Sequence, residues 1–377
     1  MNFHYYLPVN LIFGEGTSEQ AGEECKKYGK KVLIVTGENS TKKTGLLDRI
    51  IGQIKKAEIS YVLYNKVPQN PLTTTAIEGA LLAKQENCDV VLGLGGGSAM
   101  DTAKAIAFLA VNNGDISDYI YGQLSSNSAL PIILVPTTCG TGSEGNGFAV
   151  LTNPETKDKK SLRCNAIIAK SSIVDPLLMT TMPKDILATV GFDAFCHCME
   201  AYLSFSSQPI TDSLALNGMK YIALALPRVY KDYGDIESWA ALSLGSTYGG
   251  MAINTAGVTL LHGMEHPVSG LYNVTHGKGL AALAPVVLEE SIKGSPEKFM
   301  TISKILGGKN EADCTESLRT FLDGIGLATT LAEQGVKEED VEWMTDNCLK
   351  VSAAGIKNHP VLFDRDRIKE LYKKALA

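Results

Sequence analysis

The sequence predicts an α/β N-terminal domain built on a doubly wound parallel sheet, followed by an all-α C-terminal domain. In the first part, short apolar and β-branched runs alternate with longer segments of helical periodicity. Beyond residue 180 the strand-like runs largely disappear, and the apolar spacing is that of helices. A chain of 377 residues is long enough for two domains. We place them at residues 1–180 and 181–377.

The predicted elements follow in chain order. Three runs have the composition of buried strands: KKVLIVTG, CDVVLGLGGGS and LPIILVPTT. The segments between them with helical spacing include TKKTGLLDRIIGQIKKA and TTAIEGALLAKQEN. This alternation is typical of a parallel sheet covered on both faces. In the second part, helices are predicted for ITDSLALNGMKYIALALPRVY, SWAALSLGSTYGGMA and EADCTESLRTFLDGIG. We expect a cleft between the two domains, which is a preferred position for a ligand.

The composition narrows the class of protein. Hydrophobic residues make up 45% and charged residues 20% of the chain, as in an ordinary globular protein. The formal net charge of -6 argues against a broad surface for nucleic acid. No uninterrupted apolar run reaches membrane-spanning length, and the start MNFHYYLPVN lacks the features of a signal peptide. We therefore expect a cytoplasmic protein with no membrane or nucleic-acid partner.

The eight cysteines also indicate a reducing compartment, because they are scattered and form no CxxC pair. Cys196 and Cys198 flank a histidine and could be read as metal ligands. Free cysteine is among the most buried residue types, so we expect both to be small core residues.

A glycine-rich turn follows the second predicted strand. The strand runs into Gly95, Gly96 and Gly97, and a helix is predicted to begin at Ser98. Ser98 and Asp101 have the spacing of a capping box. Glycines let a phosphate approach the backbone, and the first N–H groups of a helix attract it. The stretch is neither the GxGxxG fingerprint nor a P-loop. A turn without a ligand is the alternative, but three glycines between a buried strand and a capped helix favour phosphate binding.

The third predicted strand is followed by a second polar turn, PTTCGTGSE. Thr137 and Thr138 offer hydroxyl groups there. The carboxyl ends of parallel strands meet at one edge of the sheet, where ligands of such folds bind. Both turns are therefore expected to face the same ligand.

Four of the six histidines lie close together in the second part, and they are accompanied by a carboxylate. Asp193 and His197 are four residues apart, as are His262 and His266, and His276 follows. On a helix, residues with this spacing share one face. A carboxylate and several imidazoles that converge make a divalent-metal site with room for a substrate oxygen. Single histidines are more often structural, so the pattern alone leaves the two readings about equally favoured.

Together these stretches resemble the iron-containing alcohol dehydrogenase family. The resemblance begins at FGEG and includes QNP at 69–71, GGGSAMDTAK, PTTCGTGSE, VDP at 174–176, GFDAFCHCMEAY and HGMEHPVSGLYNVTHGKGL. It implies a dinucleotide-binding domain, a helical metal-binding domain, a homodimer, and hydride transfer between NAD(P)(H) and a small primary alcohol or aldehyde. The segment VTHGKGLAALAP is similar to the butanol-dehydrogenase-like branch, since the lactaldehyde and propanediol branch usually has Asn where Leu280 stands.

The resemblance also implies roles for single residues. It implies that the metal ligands are Asp193, His197, His262 and His276, with Fe²⁺ favoured and Zn²⁺ as the alternative. His266 matches a histidine near the nicotinamide, where it would relay a proton. The positions that match the family's dinucleotide contacts are Asn70, Gly96, Gly97, Ser98, Thr137, Thr138 and Lys160.

The end of the first strand bears on the choice of cofactor. In the NAD-preferring branch an Asp is expected where this chain has Gly37. Without that carboxylate, the 2′-phosphate of NADP meets no repulsion. Ser40 can donate a hydrogen bond to a phosphate, and Lys42 or Lys43 can pair with it, whereas Glu38 counts against this reading. The sequence therefore favours NADP(H) over NAD(H).

Two other classes of function are weighed against the alcohol dehydrogenase. The first is a glycerol-dehydrogenase-like polyol oxidoreductase or a dehydroquinate-synthase-like lyase. The set of one Asp and three His argues against it, because these relatives are expected to use fewer histidines. The second is a non-catalytic nucleotide-binding or metal-binding protein. The presence of both a ligand set and a phosphate turn disfavours that reading.

Overall fold

The computed structural model describes residues 2–377 and has a six-stranded parallel sheet at the centre of its N-terminal half. The strands are β1 (Asn10–Phe13), β2 (Lys31–Gly37), β3 (Ser60–Val67), β4 (Val90–Gly95), β5 (Ile132–Pro136), β6 (Phe148–Thr152), β7 (Lys159–Arg163) and β8 (Ser171–Val174). The sheet order is β1-β8-β5-β4-β2-β3, and β6 and β7 form a separate antiparallel pair.

Helices cover the sheet and form the whole second half. The first six are α1 (Ala21–Lys26), α2 (Ser40–Lys43), α3 (Leu46–Lys56), α4 (Thr73–Gln85), α5 (Gly97–Leu109) and α6 (Ile116–Ile120). The others are α7 (Lys184–Leu203), α8 (Pro209–Lys231), α9 (Ile236–Ala256), α10 (Leu260–Tyr272), α11 (His276–Ser291), α12 (Pro296–Ile305), α13 (Cys314–Gly324), α14 (Val341–Val351), α15 (Ala353–Lys357) and α16 (Arg365–Leu376). The predicted fold class is confirmed, while the division at residue 180 stays a prediction.

The three predicted strands are β2, β4 and β5, and each lies inside the sheet. The sequence-based prediction omits β3, an edge strand whose side chains are mostly half-buried, because its apolar run, YVLY, is short and flanked by polar residues. The predicted helix at residues 41–57 is two helices, because Gly45 adopts a left-handed conformation with φ 71° between α2 and α3.

Successive residues of the central strands pack on opposite faces of the sheet. In β2, Val32 and Ile34 belong to the core cluster that includes α1 and α3. Leu33 and Val35 belong to the cluster formed with α4 and α5. Burial on both faces explains why this strand is apolar throughout. The carboxyl edge of the sheet is left for the turns that carry polar residues.

The turn after β5 packs directly against the helical half. A Cβ atom at Gly250 of α9 would lie 1.9 Å from the carbonyl oxygen of Gly142, so the close approach requires glycine there. The fully buried Lys104 of α5 anchors the same turn, since its Nζ donates hydrogen bonds to the carbonyl oxygens of Ser143 (2.6 Å) and Phe148 (2.8 Å). These contacts bring the carboxyl edge of the sheet next to α7, α9 and α10.

Candidate metal centre and cofactor cleft

Three helices carry the acidic and histidine side chains that the sequence predicts to form a site. Asp193 and His197 lie one turn apart in α7, and His262 and His266 lie one turn apart in α10. His276 is the first residue of α11. The short turn between α10 and α11 returns the chain, so that the rings of His262 and His276 lie 5.2 Å apart between centroids.

The Asp193 carboxylate is the centre of the group. Its Oδ1 lies 3.3 Å from Nε2 of His262 and 3.7 Å from Nε2 of His276. These three residues have potential ligand atoms that all lie within 4.8 Å of one another. His197 lies at the margin, with its Nδ1 3.7 Å from the same oxygen and its ring stacked on that of His262. The structure therefore brings all four predicted ligands together.

Two buried glutamates stand behind the histidines, and neither is among the residues predicted from the sequence. Glu200 contacts Nδ1 of His262, and Glu265 contacts Nδ1 of His276. A carboxylate on the outer nitrogen fixes the orientation of an imidazole whose other nitrogen binds a metal. The sequence contains a signal for both, since Glu200 follows Asp193 by two helical turns and Glu265 follows His262 by one.

The buried charges shift one another's pKa values. Burial would raise the pKa of Asp193, but His197, His276 and His262 hold it well below its usual value. Burial would lower the pKa of His262, but Glu200 and Asp193 raise it to about 10. Burial likewise would raise the pKa of Glu200, but His262 lowers it to about 2. The group therefore holds ionised carboxylates in a buried place, and these attract a cation.

The donor set fits a divalent first-row ion. One carboxylate and three imidazoles are ligands that Fe²⁺ and Zn²⁺ both accept. A ligand imidazole must be neutral. Burial lowers the pKa of His197 to about 4 although Asp193 lies nearby, whereas His262, whose pKa is raised to about 10, releases its proton when a metal binds. The glutamates behind His262 and His276 leave the Nε2 atoms of both rings directed towards Asp193.

His266 lies beside this group and lines the cavities on both sides of it. Its ring centroid is 5.9 Å from that of His276. Glu265, His266 and His276 form a second set of atoms within 4.8 Å of one another. In that set, the Nζ of Lys159 lies 3.7 Å from the Glu265 carboxylate and supplies positive charge. The set around Asp193 is therefore the better candidate for a metal ion.

A cavity of about 130 Å³ joins the metal group to the glycine-rich turn. Gly97 and Ser98, at the start of α5, line one side, and Asp193 and His276 line the other. The glycines also make room for the second turn, since a Cβ at Gly96 would lie 3.1 Å from Thr138 Oγ1. Gly95 has φ 145°, a conformation that favours glycine.

The predicted capping box is wrong. Helix α5 begins at Gly97, and no side chain caps its N-terminus. The Asp101 carboxylate instead accepts hydrogen bonds from the Ser143 hydroxyl (2.6 Å) and from the Val150 backbone N–H (2.9 Å). Asp101 therefore joins α5 to the turn after β5, because a long-range partner replaces the local one.

Asn70 and Lys160 are also predicted cofactor contacts, and only Asn70 lines this cavity. Asn70 lines the cavity, and its Nδ2 donates a 2.7 Å hydrogen bond to Asn273. Lys160 does not line it; its Nζ donates to the carbonyl oxygen of Val351 at 2.6 Å, in the neighbouring cavity. Lys159 faces the cavity instead, with its Nζ 3.4 Å from His276. Adjacent strand residues point to opposite sides, so a shift of one position exchanges the two lysines.

A third cavity, of about 80 Å³, lies at the end of β2 and β5. Ser40 and Thr137, two of the predicted cofactor contacts, line it together with Arg49, for which the sequence predicts no role. Lys42 and Lys43 are exposed and do not line it. Its lining residues include one cation and no Asp or Glu.

Helix α7 is long and apolar enough to cross a membrane by length and composition, whereas no such segment is predicted from the sequence. In its most apolar window, 83% of the residues are buried inside the protein. The helix therefore packs as the central helix of the C-terminal half. Cys196 and Cys198 are buried core residues in it, as predicted.

Fold and site define a class of two-part proteins in which the carboxyl edge of a parallel sheet faces a buried Asp/His group on helices. The family described as "Iron-containing alcohol dehydrogenase" matches residues 8–176, and its C-terminal counterpart, "Fe-containing alcohol dehydrogenase family, C-terminal", matches residues 187–376. The chain belongs to the iron-containing alcohol dehydrogenase family. The predicted family is confirmed.

Individual relatives match along the whole chain. The NAD-dependent methanol dehydrogenase of Bacillus methanolicus is 32% identical over 92% of this chain and 93% of its own. The structure of NADH-dependent butanol dehydrogenase A from Thermotoga maritima superposes with a TM-score of 0.93 at 32% identity, covering 100% and 99% of the two chains. An archaeal alcohol dehydrogenase from a Red Sea brine pool superposes with a TM-score of 0.95 at 34% identity, with the same coverage.

The function that family membership carries is also confirmed. The protein is an oxidoreductase of the alcohol dehydrogenase type, and its family implies a divalent metal and a nicotinamide cofactor. The relatives that match this chain over nearly their full length are named as alcohol dehydrogenases. This function is therefore favoured over the polyol, lyase and non-catalytic alternatives.

Proposed function

We propose that the protein reduces a small aldehyde to its primary alcohol with NADP(H), in the butanol-dehydrogenase-like manner, at a centre in which Asp193, His197, His262 and His276 hold Fe²⁺. The observation that carries the proposal is the convergence of these side chains on one wall of a cavity whose other wall is the start of α5. Helix starts of this kind bind the phosphates of a dinucleotide.

The side chains of this chain have distinct tasks in the proposed reaction. When bound, the metal polarises the substrate oxygen and the nicotinamide supplies the hydride. Asn70 and Lys159 hold the cofactor side of the cavity, where their polar atoms approach each other to 3.5 Å. His266 stands between the two cavities, so that it relays a proton between the substrate oxygen and water.

The remaining cofactor contacts we propose are backbone and small polar groups at the sheet edge. Close approach of phosphates there depends on the absence of side chains at the glycines. The set consists of Gly37, Ser40, Gly95, Gly96, Gly97, Ser98, Thr137 and Thr138, with Asp101 supporting the turn behind them.

The proposed metal is tested by measuring the iron content of the protein and by removing and then restoring the metal. Protein purified without oxygen should contain about one equivalent of iron, since four ligands surround a single position. Chelation should abolish NAD(P)H oxidation with butyraldehyde, and Fe²⁺ should restore it better than Zn²⁺. Full activity in a metal-free preparation would contradict the proposal.

The preference for NADP(H) rests on the end of β2. Gly37 carries no carboxylate, and Ser40 and Arg49 line the small cavity beside it. The Arg49 cation and the Ser40 hydroxyl attract an anionic 2′-phosphate. Glu38 and the NAD(H) named for two relatives count against this preference.

Kinetics with both cofactors decide the question. We expect kcat/KM to be higher with NADPH, and Gly37→Asp to shift the preference towards NADH. A Cβ at Gly37 would meet only the Val67 carbonyl oxygen, at 3.6 Å, so the variant is expected to fold. A wild type that prefers NADH ten-fold, or about 1.4 kcal/mol, would show that Gly37 does not control the choice.

The homodimer and the cytoplasmic location stay predictions. Light scattering on the purified protein tests the first: a mass of about twice 40.4 kDa is expected.

A further inference from the structure

A second, larger cavity adjoins the one that contains the metal group, and its lining includes neither of the two turns at the sheet edge. Its volume is about 840 Å³. Phe148, Arg163 and His266 line both this cavity and the smaller one that contains the metal group. A molecule whose reacting carbon lies near His266 would therefore extend its other end into the larger cavity.

The charges that line the larger cavity have one sign. Lys160, Arg163 and Lys357 contribute three cations, and its lining contains no Asp or Glu among residues 2–377. The carboxylate that lies nearest to Lys160 in sequence is Asp158. It is already engaged, since its oxygens accept hydrogen bonds of 2.7 Å from Lys350 and from Asn347. In a protein with a formal net charge of -6, a cavity lined by cations alone is a local exception.

Arg163 is placed to bind an anion. No carboxylate oxygen of residues 2–377 lies within 4.0 Å of its guanidinium group, which packs over the Phe148 ring with Cζ 4.4 Å from the centroid. The stacked ring orders the guanidinium and leaves its N–H edge free. Solvent reaches this side chain through the cavity, and the surrounding protein lowers its pKa by desolvation.

Lys160 adds to the positive charge in the same cavity. Its Nζ lies 5.6 Å from the centroid of the Tyr121 ring and donates one hydrogen bond to Val351, so two of its three N–H groups remain. Two cations that line one cavity without a carboxylate between them repel each other, and a bound anion relieves that repulsion.

Resting on the proposed function, we propose that the substrate is an aldehyde or alcohol that carries a carboxylate at the end remote from the reacting carbon. Arg163 binds that carboxylate, and Lys160 strengthens the binding. The spacing along β7 indicates the length of the substrate. Lys159 lies beside His276, and Arg163 follows it by four residues on the same side of the strand, a distance of about 13 Å. The long arginine side chain shortens this span, so a chain of about four or five carbons fits best.

The test compares two aldehydes that differ only in charge. Succinic semialdehyde and its methyl ester have the same reacting group and nearly the same length. With the metal-loaded enzyme and its preferred cofactor, we expect kcat/KM to be at least ten-fold higher for the carboxylate, mainly through a lower KM. Added salt should reduce this ratio, because it screens the attraction.

Variants assign the effect to the cavity. Arg163→Met keeps the packing stem and should lower the ratio of carboxylate to ester at least ten-fold, while Arg163→Lys should retain part of it. Arg319→Met removes an exposed arginine that lines neither cavity and should leave the ratio as in the wild type. A wild type that prefers the ester, or an Arg163→Met variant that loses both substrates equally, would overturn the proposal.

A binding measurement separates this proposal from the proposed function. Succinate has no aldehyde to reduce, so calorimetry with the metal-loaded protein measures its binding independently of turnover, and the comparison with Arg163→Met isolates the anion site. If no aldehyde is reduced but succinate binds and Arg163→Met weakens it ten-fold, the reductase assignment fails and the anion site stands. If succinate binds equally to both proteins, or to neither, the anion site is wrong.

Discussion

The two walls of the cleft are built in different ways. The wall at the sheet edge is the start of α5, where Gly97 and Ser98 line the cavity and Gly97 contributes backbone alone. The opposite wall consists of side chains, since Asp193 and the histidines project from three helices to one point. The difference predicts different sensitivity. Removing a side chain matters at the helical wall, and adding one matters at the sheet edge.

The largest expected effect is at the helical wall. His276→Ala removes an imidazole from the set of three residues with ligand atoms within 4.8 Å of one another. We expect loss of bound metal and at least a thousand-fold loss of turnover, since one ligand is missing from a first-row metal site. Metal analysis by mass spectrometry and steady-state assays check this. A His276→Ala enzyme that keeps its metal and its rate would break the distinction between the two walls.

The next largest effect is expected at His266, which lies on the same wall but is not a proposed ligand. His266→Ala should keep its metal but lose roughly a hundred-fold in rate, as for a residue that moves a proton. If His266 only packs α10, the midpoint of thermal unfolding should fall while turnover per folded molecule stays near that of the wild type. Measuring metal content, melting and rate on one preparation distinguishes the two cases.

The glutamates behind the histidines test how far the helical wall extends. Glu265→Gln keeps the shape but removes the charge that contacts His276. We expect metal affinity to fall ten- to a hundred-fold, as is usual for a group that orients a ligand. Glu339→Gln is the matched control, because that side chain is exposed and pairs only loosely with Lys337 at 3.4 Å. Competition with a chelator of known affinity gives the metal affinity of each variant. Equal affinities of the two variants would assign Glu265 a merely structural role.

The same contrast explains what the sequence could and could not predict. That the four proposed ligands lie close together could be predicted, because residues four apart on a helix share a face and the histidines cluster along the chain. The absence of a side-chain cap at the start of α5 could not be predicted, because Asp101 accepts hydrogen bonds from Ser143 and Val150, which are distant in sequence. A motif match locates a strand residue only to within one position, and in β7 it is Lys159 that lines the smaller cavity, while Lys160 donates to Val351 in the neighbouring one. Parallel strands with continuous apolar sequence were predicted, whereas the half-buried edge strands were not.

At the sheet edge, adding one methyl group should be enough to disturb the cofactor. A Cβ at Gly97 would lie 2.3 Å from Cγ2 of Thr141, so Gly97→Ala must displace the second turn. Overpacking of this kind costs about 1–3 kcal/mol. We expect the cofactor KM to rise about ten-fold. The double variant with Thr141→Ala removes the clashing atoms and should recover most of it, while Gly52→Ala in α3, where no atom lies within 4 Å, should change nothing in KM.

The smallest effect on turnover concerns a buried histidine outside both walls. His359 is bonded on one side to the Ser291 hydroxyl (2.8 Å) and on the other to that of Thr259 (3.1 Å), and burial lowers its pKa to about 4. In the unfolded chain its pKa is about 6.5. Between these two values the unfolded state binds more protons, so the free energy of unfolding should decrease as the pH falls from 6.5 towards 4, by at most about 3 kcal/mol. Urea unfolding at several pH values should show this slope, and His359→Gln should reduce it while turnover at pH 7 stays within about two-fold. A variant with the full wild-type slope would place the acid sensitivity in other groups, with His197, whose pKa burial also lowers to about 4, as the first to examine.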